Sequence, residues 1–365
     1  MNIQMMDLKR QYAEIKDEVQ PKVLEILEGG WYVGGPEVKN FEEKAAEYVG
    51  VKHAIGCANG TDALQISMMA AGIKAGDEVI TTPFTFIATA ETIKILGAVP
   101  VFVDVDKDTY NIDPALIEAA ITDKTKAIIP VHLYGQAADM DPIMQIAEKH
   151  NLVVIEDNAQ GIGAKYKGKM LGSLGHMATV SFYPAKNLGA AGDGGLILTN
   201  DDEFAAQIRI IANHGQNERY KHQVVGVNSR LDAIQAGILS IKLKRLDGWN
   251  NKRRVVAEKY KDKLKDVALV PYEDKDNYHI YHQFSIQLEN RDELQKFLFD
   301  NKIPNAIHYP IPLHLQVAFE NLGLGKGSFP ISEKIAENII SLPMHPDLSD
   351  EEINFITDKV KEFYK

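Results

Sequence analysis

The apolar positions of this chain alternate between two kinds of pattern. Short runs rich in valine and isoleucine predict buried strands over residues 78–81, 99–103, 126–131, 152–155, 178–182 and 196–199. Helix-like runs lie between them, and most begin at an aspartate that can cap the first turn, at residues 62–73, 113–121, 139–150 and 201–212. Because strands and helices alternate, we expect an α/β fold with a mainly parallel sheet covered by helices.

The pattern changes after Arg230, where a long, charged helical stretch continues to about residue 265. Beyond it, a strand over residues 281–288 and helices beginning at Arg291 and Asp350 predict a small α+β domain. A chain of 365 residues exceeds what one hydrophobic core usually serves. We therefore predict a large domain over residues 1–247 and a small C-terminal domain over residues 248–365.

Charge and cysteine content limit the partners and the compartment. The net charge of −11 disfavours binding to nucleic acid, which needs a basic surface. Cys57 is the single cysteine, which excludes an internal disulfide. The chain begins without a basic and apolar signal segment, and no apolar run approaches the ~20 residues of a membrane span. We expect a cytoplasmic protein that does not bind a membrane.

A lysine and an aspartate suggest the chemistry. Asp157 follows the strand at 152–155, with Gln160 close behind, and Lys186 follows the strand at 178–182. Ligands of open α/β sheets bind at the carboxyl ends of strands. A desolvated lysine can form a Schiff base with an aldehyde, and a cofactor that withdraws electrons needs a carboxylate on its ring nitrogen. Alone, these residues would be a surface lysine and a helix cap; together they predict a pyridoxal phosphate site.

The cofactor's phosphate and ring have candidate partners as well. Gly60 and Thr61 precede the first core helix, where free N–H groups and the helix dipole favour an anion. Ser181 supplies a second hydroxyl for the same phosphate. Phe86 follows the strand at 78–81 and can stack on a pyridine ring, although a single phenylalanine is more often a core residue.

The sequence fits other kinds of ligand site less well. Residues 163–170 nearly spell a P-loop, but Met170 replaces the hydroxyl that would bind magnesium, and the segment suits a hairpin better. No dinucleotide-binding glycine motif follows a strand. His308 and His314 lack the further ligands that a metal needs, so we predict no metal site. His308 and Tyr309 remain candidates for contact with the substrate.

Five segments together resemble one known family: residues 59–64, 84–86, 156–160, 181–186 and 192–195, which read NGTDAL, FTF, EDNAQ, SFYPAK and GDGG. The chain resembles, nearly end to end, the DegT/DnrJ/EryC1/StrS family of pyridoxal phosphate-dependent sugar aminotransferases. The resemblance implies fold type I, as in aspartate aminotransferase, and a homodimer in which each subunit completes the other's active site. Ala185 is a departure, because the family often carries serine or threonine there.

The resemblance also implies roles for individual residues. Lys186 would bond the cofactor, Asp157 would pair with its ring nitrogen, Gln160 would bind its hydroxyl, and Phe86 would stack on its ring. The phosphate would be held by Gly60, Thr61, Ser181 and, from the other chain, Asn228. Relatives in which histidine replaces this lysine perform dehydration, so Lys186 favours transamination.

The substrate is inferred from the same resemblance. The donor would be L-glutamate, and the acceptor a hexose linked to a nucleotide and oxidised at C3. The likeness favours UDP-2-acetamido-2-deoxy-3-oxo-glucuronate, in O-antigen biosynthesis. Alternatives are a dTDP-3-oxo-6-deoxyhexose, a 4-keto nucleotide sugar, and a sensor of nucleotide sugars without catalysis. Arg230 would bind a carboxylate or phosphate of the substrate, or form a structural ion pair with Asp232 or another acid.

Overall fold

The computed structural model describes residues 2–364. Its helices are α1 (Leu8–Gly29), α2 (Gly35–Val49), α3 (Gly60–Ala70), α4 (Ala88–Ile95), α5 (Pro114–Ile117), α6 (Met140–His150), α7 (Asp202–Ala212), α8 (Ala233–Leu243), α9 (Leu246–Leu264), α10 (Arg291–Asp300), α11 (Pro330–Asn338) and α12 (Asp350–Phe363). Its strands are β1 (His53–Cys57), β2 (Glu78–Thr81), β3 (Val99–Phe102), β4 (Thr125–Ile128), β5 (Val153–Asp157), β6 (Lys165–Tyr166), β7 (Lys169–Met170), β8 (Met177–Ser181), β9 (Gly195–Thr199), β10 (Gln216–Glu218), β11 (Lys221–His222), β12 (Asn277–Tyr278), β13 (Phe284–Gln287) and β14 (Ile339–Leu342). Within these residues, no helix combines the length and the apolar character needed to cross a membrane.

A seven-stranded sheet organises the described part of the chain, in the order β1-β9-β8-β5-β4-β2-β3. The neighbours from β8 to β3 are parallel, whereas β9 runs antiparallel to both β8 and β1. The prediction of a mainly parallel α/β sheet is confirmed.

Helices cover both faces of this sheet, because successive side chains of a strand point to opposite faces. On β9, Leu196 and Leu198 pack in one core with residues of α2 and α8. Ile197, between them, packs in another core with residues of α3 and α7. All three side chains are fully buried, which explains the continuous apolar run of this strand.

The predicted central strands lie within three residues of the observed ones at each end, and residues 165–170 form the expected hairpin. Strand β1 was missed because its sequence, HAIGC, is short and begins with a polar residue. The predicted start of α3 at Asp62 is wrong. The helix begins at Gly60 because the Asn59 side chain caps it, accepting a hydrogen bond from the Asp62 N–H at 2.8 Å.

The C-terminal part contains the antiparallel pair β13 and β14, covered by α9, α10 and α12. Helices α10 and α12 begin at the predicted residues, and the long helical stretch after Arg230 consists of α8 and α9. The proposed boundary after residue 247 lies in the first turn of α9. Trp249 packs against α1 and α8, whereas Tyr260 packs against β13, so α9 contributes to both cores. The division into two domains remains a prediction.

Candidate active site

The candidate site lies where β5 and β8 end and the chain turns towards β9. Asp157, the last residue of β5, pairs with Thr179 of β8, and Ser181 ends β8 two residues later. Lys186 lies in the connection from β8 to β9, and Gly195 of β9 pairs with both Ser181 and Cys57 of β1. The sheet thus brings the carboxyl ends of three strands to one edge, as expected for a ligand site in an α/β fold.

A cavity of about 770 Å³ opens at this edge. Most of the residues predicted for the site line it: Gly60, Thr61, Phe86, Asp157, Gln160, Ser181, Lys186, His308 and Tyr309. Asn228 and Arg230 do not line this cavity.

One end of the cavity is formed by the start of α3 against Ser181. A Cβ atom added at Gly60 would lie 2.7 Å from the Ser181 Cβ and 3.2 Å from its Cα, so only glycine fits without displacement. The first N–H groups of a helix have no partner within the helix. Close packing of this helix start on a serine hydroxyl forms a cradle suited to a phosphate.

Lys186 presents an amine whose protonation is altered by its surroundings. Burial lowers the pKa of Lys186 from 10.5 to about 8, and the charge of Asp157 partly opposes this change. With this pKa, about a tenth of the Lys186 amine is neutral at pH 7, far more than at the usual value of 10.5. It can therefore act as a nucleophile or exchange a proton without extreme conditions.

Asp157 is a buried carboxylate held in a fixed orientation. Its Oδ2 accepts a hydrogen bond from Thr89 Oγ1 at 2.8 Å, and its Oδ1 accepts one from the Ala159 N–H at 3.2 Å. Burial raises the pKa of Asp157, while these two hydrogen bonds and the Lys186 charge act in the opposite direction. A carboxylate has about four acceptor positions, so Asp157 can accept a further bond from a protonated ring nitrogen.

Gln160 is oriented by two tyrosines. Its Oε1 accepts a hydrogen bond from the backbone N–H of Tyr134 at 2.7 Å, and its Nε2 donates to the Tyr309 hydroxyl at 3.1 Å. An amide nitrogen has two hydrogens, so one N–H of Gln160 remains for a ligand. The Tyr134 hydroxyl also donates to the His308 carbonyl, which joins the 308–309 segment to the same network.

The aromatic and imidazole groups of the site have distinct positions. The Phe86 ring is 54% exposed and lies tilted at 6.2 Å from the Tyr309 ring, so the alternative that Phe86 is a core residue is wrong. The neighbouring Phe84 is fully buried and takes that structural role. His308 Nδ1 lies 2.9 Å from Ser341 Oγ, and burial, together with the Lys186 charge, lowers the pKa of His308 to about 4.

Asn228 and Arg230 are both exposed, and Arg230 lines a separate surface groove beside α2 with Gly35 and Arg209. Among residues 2–364, no ion pair with Arg230 is formed. The alternative, a structural ion pair with Asp232 or another acid, is not formed among these residues, and Arg230 stays exposed.

Two cavity residues were missed in the sequence. Thr89 donates a hydrogen bond to Asp157, and a second hydrogen bond of 3.1 Å joins Thr89 to Thr85. The spacing of four residues between these two threonines, beginning in the 84–86 segment, was the available sequence signal. His282 also lines the cavity. It follows a region with no recognised motif, so its position depends on the packing of the C-terminal part.

The residues of this chain fit pyridoxal 5'-phosphate. The cradle at Gly60 and Ser181 suits a phosphate, the buried Asp157 carboxylate suits a ring nitrogen, and the Lys186 amine suits an aldehyde. Together with the mainly parallel sheet, this site defines a pyridoxal phosphate-dependent aminotransferase of fold type I.

Comparison with known proteins agrees with this class and gives the family. The DegT/DnrJ/EryC1/StrS aminotransferase family profile matches residues 13–361, and the chain belongs to this family. Solved relatives carry its cofactor as pyridoxal phosphate or pyridoxamine phosphate. The protein is therefore a pyridoxal phosphate-dependent sugar aminotransferase.

Individual relatives cover the whole length. A protein of Geobacillus stearothermophilus named pleiotropic regulatory protein is 51% identical, over 100% of this chain and 99% of that one. The UDP-2-acetamido-2-deoxy-3-oxo-D-glucuronate aminotransferase of Pseudomonas aeruginosa is 50% identical, over 97% and 98%. The crystal structure of a DegT DnrJ EryC1 StrS aminotransferase from Brucella abortus is 44% identical with a TM-score of 0.96, covering 99% of each chain.

Proposed function

We propose that this protein transfers the amino group of L-glutamate to C3 of UDP-2-acetamido-2-deoxy-3-oxo-glucuronate, in the cytoplasmic synthesis of an O-antigen or similar surface polysaccharide. The observation that supports this acceptor best is the 50% identity with the Pseudomonas aeruginosa enzyme over 97% of the chain. Relatives named for dTDP-linked sugars are 39% and 46% identical, so a dTDP-3-oxo-6-deoxyhexose is the second candidate.

The cavity residues have distinct roles in this proposal. Bound pyridoxal phosphate supplies an electron-accepting ring that carries the amino group from donor to acceptor. Gly60, Thr61 and Ser181 hold the phosphate, and Phe86 packs on the ring. Asp157, held by Thr89, keeps the ring nitrogen protonated.

Gln160 donates its free N–H to the ring hydroxyl, because its other N–H is occupied by Tyr309. Gln160 would thereby connect the bound cofactor to the 308–309 segment. His308 and Tyr309 then contact the sugar from that side of the cavity.

Lys186 has two roles in the proposal: it bonds the cofactor between turnovers, and once released it moves the proton. Its pKa of about 8 allows its Nζ to take a proton from the donor carbon and to return it at the cofactor carbon. A lysine with a pKa of 10.5 would hold its proton too strongly near neutral pH to act as the base.

The cavity of one chain is short of positive charge for these ligands. Asp62, Asp157 and Asp193 line it, against the single lysine Lys186. The cofactor phosphate, the dicarboxylate donor and the diphosphate of the sugar are all anionic. We therefore propose a homodimer in which Asn228 of a second copy completes the phosphate site and Arg230 of that copy binds the uronate carboxylate or the diphosphate. The exposed position of Arg230, which forms no ion pair within residues 2–364, supports this arrangement.

The test is to convert the protein to the pyridoxamine form with L-glutamate and to mix it with UDP- and dTDP-linked 3-oxo and 4-oxo sugars. The proposal expects recovery of the yellow pyridoxal form fastest with the UDP-3-oxo-glucuronate. Recovery with 4-oxo sugars alone would contradict the position of attack, and a preference for dTDP compounds would favour the second candidate. A protein that L-glutamate cannot bleach would instead be a sensor. Lys186→Ala is the matched control and should remain inactive with every sugar.

A further inference from the structure

His282 is a cavity residue with no role in the function proposed above. Its side chain is 5% exposed, and what remains accessible lines the cavity that contains Lys186. The backbone is fixed because the His282 N–H donates to the Tyr134 carbonyl at 2.7 Å. The Arg253 guanidinium also donates to the His282 carbonyl, at 3.4 Å. The ring therefore has a defined position relative to the site.

The proton on the His282 ring can be assigned from its neighbours. Asn250 Nδ2 donates to the Ile162 carbonyl at 3.4 Å, so Asn250 Oδ1 is the acceptor for Asn187 Nδ2 at 2.7 Å. Asn187 Nδ2 also faces the Ile280 carbonyl, at 3.4 Å. The remaining amide atom, Asn187 Oδ1, lies 3.1 Å from His282 Nδ1 and can only accept. The Nδ1 atom of His282 must carry a proton.

The second ring nitrogen is consequently an acceptor. Burial lowers the pKa of His282 well below its usual value, and the charges of Lys186, Arg253 and His308 act in the same direction, so the ring is neutral. A neutral imidazole with its proton on Nδ1 has a lone pair on Nε2. Within residues 2–364, Nε2 has no hydrogen-bond partner, and it is not among the polar atoms sealed from solvent. It is therefore available to a donor in the cavity.

Lys186 is the candidate donor, because it lines the same cavity and its charge contributes to the lowered pKa of His282. Asn187, which holds His282 Nδ1, is the next residue in the chain, so the ring is anchored to the loop that carries the lysine. A lysine ammonium has three hydrogens to donate, and in its proposed role Lys186 carries a proton on Nζ between taking it from the donor carbon and returning it. We propose that His282 is a positioning residue whose Nε2 accepts a hydrogen bond from the Lys186 ammonium, holding the proton-carrying lysine in place during turnover. This inference rests on the role proposed for Lys186, but not on the identity of the sugar.

The first experiment uses ¹⁵N NMR of the histidines in protein loaded with pyridoxamine phosphate, the form in which Lys186 is released; this readout does not depend on activity. Near pH 7, His282 is expected to be neutral, with protonated Nδ1 and bare Nε2. In Lys186→Ala, the Nε2 resonance should move while that of Nδ1 stays. A proton on Nε2 in the wild-type protein, or an Nε2 resonance that Lys186→Ala leaves unchanged, would overturn the proposal.

The second experiment measures the pKa of Lys186 from the pH dependence of its chemical labelling in variants loaded with pyridoxamine phosphate. Loss of the acceptor in His282→Leu should lower the pKa of Lys186 by about one pH unit, a tenfold change in acid dissociation. His282→Gln can present an amide oxygen and should restore most of the difference. If Leu and Gln variants give the wild-type pKa, or lower it equally, His282 does not hold the ammonium.

Kinetic measurements distinguish this positioning role from a general structural role of His282. They also distinguish it from an error in the proposed sugar substrate. With L-glutamate alone, the half-reaction of His282→Leu should have a rate constant reduced about tenfold, with an unchanged KM, and His282→Gln should recover it. This readout needs no sugar, so an incorrect sugar assignment would leave it intact. Equal losses in both variants, or a rise in KM alone, would contradict the proposal.

Discussion

The pKa of Lys242 provides a quantitative test of how burial affects charge next to the β8–β9 connection, which carries Lys186. This lysine of α8 is 7% exposed, and its Nζ donates to the Gly189 carbonyl at 2.6 Å and to Gln11 Oε1 at 2.9 Å. Burial lowers the pKa of Lys242 from 10.5 to about 8. The difference corresponds to about 3 kcal/mol of preference for the neutral amine in the folded state.

The sign of the pH dependence follows from proton binding. Between pH 8 and 10.5, an unfolded chain keeps the Lys242 proton while the folded protein loses it, so the contribution of this group to stability rises with pH. Lys242→Met has no such contribution. The free energy of unfolding of the wild type, minus that of Lys242→Met, should therefore rise by about 1.4 kcal/mol per pH unit from pH 8 to 10.

The assay is urea unfolding of the cofactor-loaded proteins at fixed concentration from pH 7 to 10. Lys244→Met is the matched control, because Lys244 lies two residues further along and is exposed. Its difference from the wild type should not change with pH. If the wild type and Lys242→Met gave parallel curves above pH 8, the buried lysine would not titrate as the structure implies.

Three further substitutions test the site itself. Asp157→Asn removes the charge that raises the pKa of Lys186, so labelling of the cofactor-free protein should show a pKa below about 8; a higher value would refute the coupling. Gly60→Ala places a methyl group 2.7 Å from the Ser181 Cβ and should weaken pyridoxal phosphate binding at least tenfold, as measured by equilibrium dialysis. The affinity for pyridoxal without a phosphate should stay the same. Thr89→Val removes the hydrogen bond to Asp157 and should reduce the rate constant of the glutamate half-reaction about tenfold, as expected for the loss of about 1.4 kcal/mol. Thr89→Ser keeps the hydroxyl and should retain the wild-type rate constant. Equal rate constants for the two variants would exclude this role of Thr89.

The sequence was sufficient for the parts of the fold that depend on local pattern. Valine and isoleucine runs located the central strands, and Asp201 caps α7 as expected. The sequence was insufficient for β1, whose identity as a strand depends on pairing with β9, more than a hundred residues away. Such distant pairing has no local sequence signal.

The same limit applies to the candidate site. Lys186 and Asp157 were located because each lies at or just after the end of a strand, a position that the pattern predicts. His282 and Thr89 were missed because their importance comes from partners elsewhere in the chain, Asn187 and Asp157. The roles of Arg230 and Asn228 remain predictions for a different reason, because the site that they are proposed to complete lies in another copy of the chain.

The pairing of β1 with β9 has a consequence for synthesis on the ribosome. Within the main sheet β1 has β9 as its partner, and Cys57 pairs with Gly195. At ~5–20 residues per second, roughly seven to thirty seconds separate the translation of the two strands. During that interval β1 has no partner strand in the nascent polypeptide, so we expect chaperones to bind it until β9 emerges.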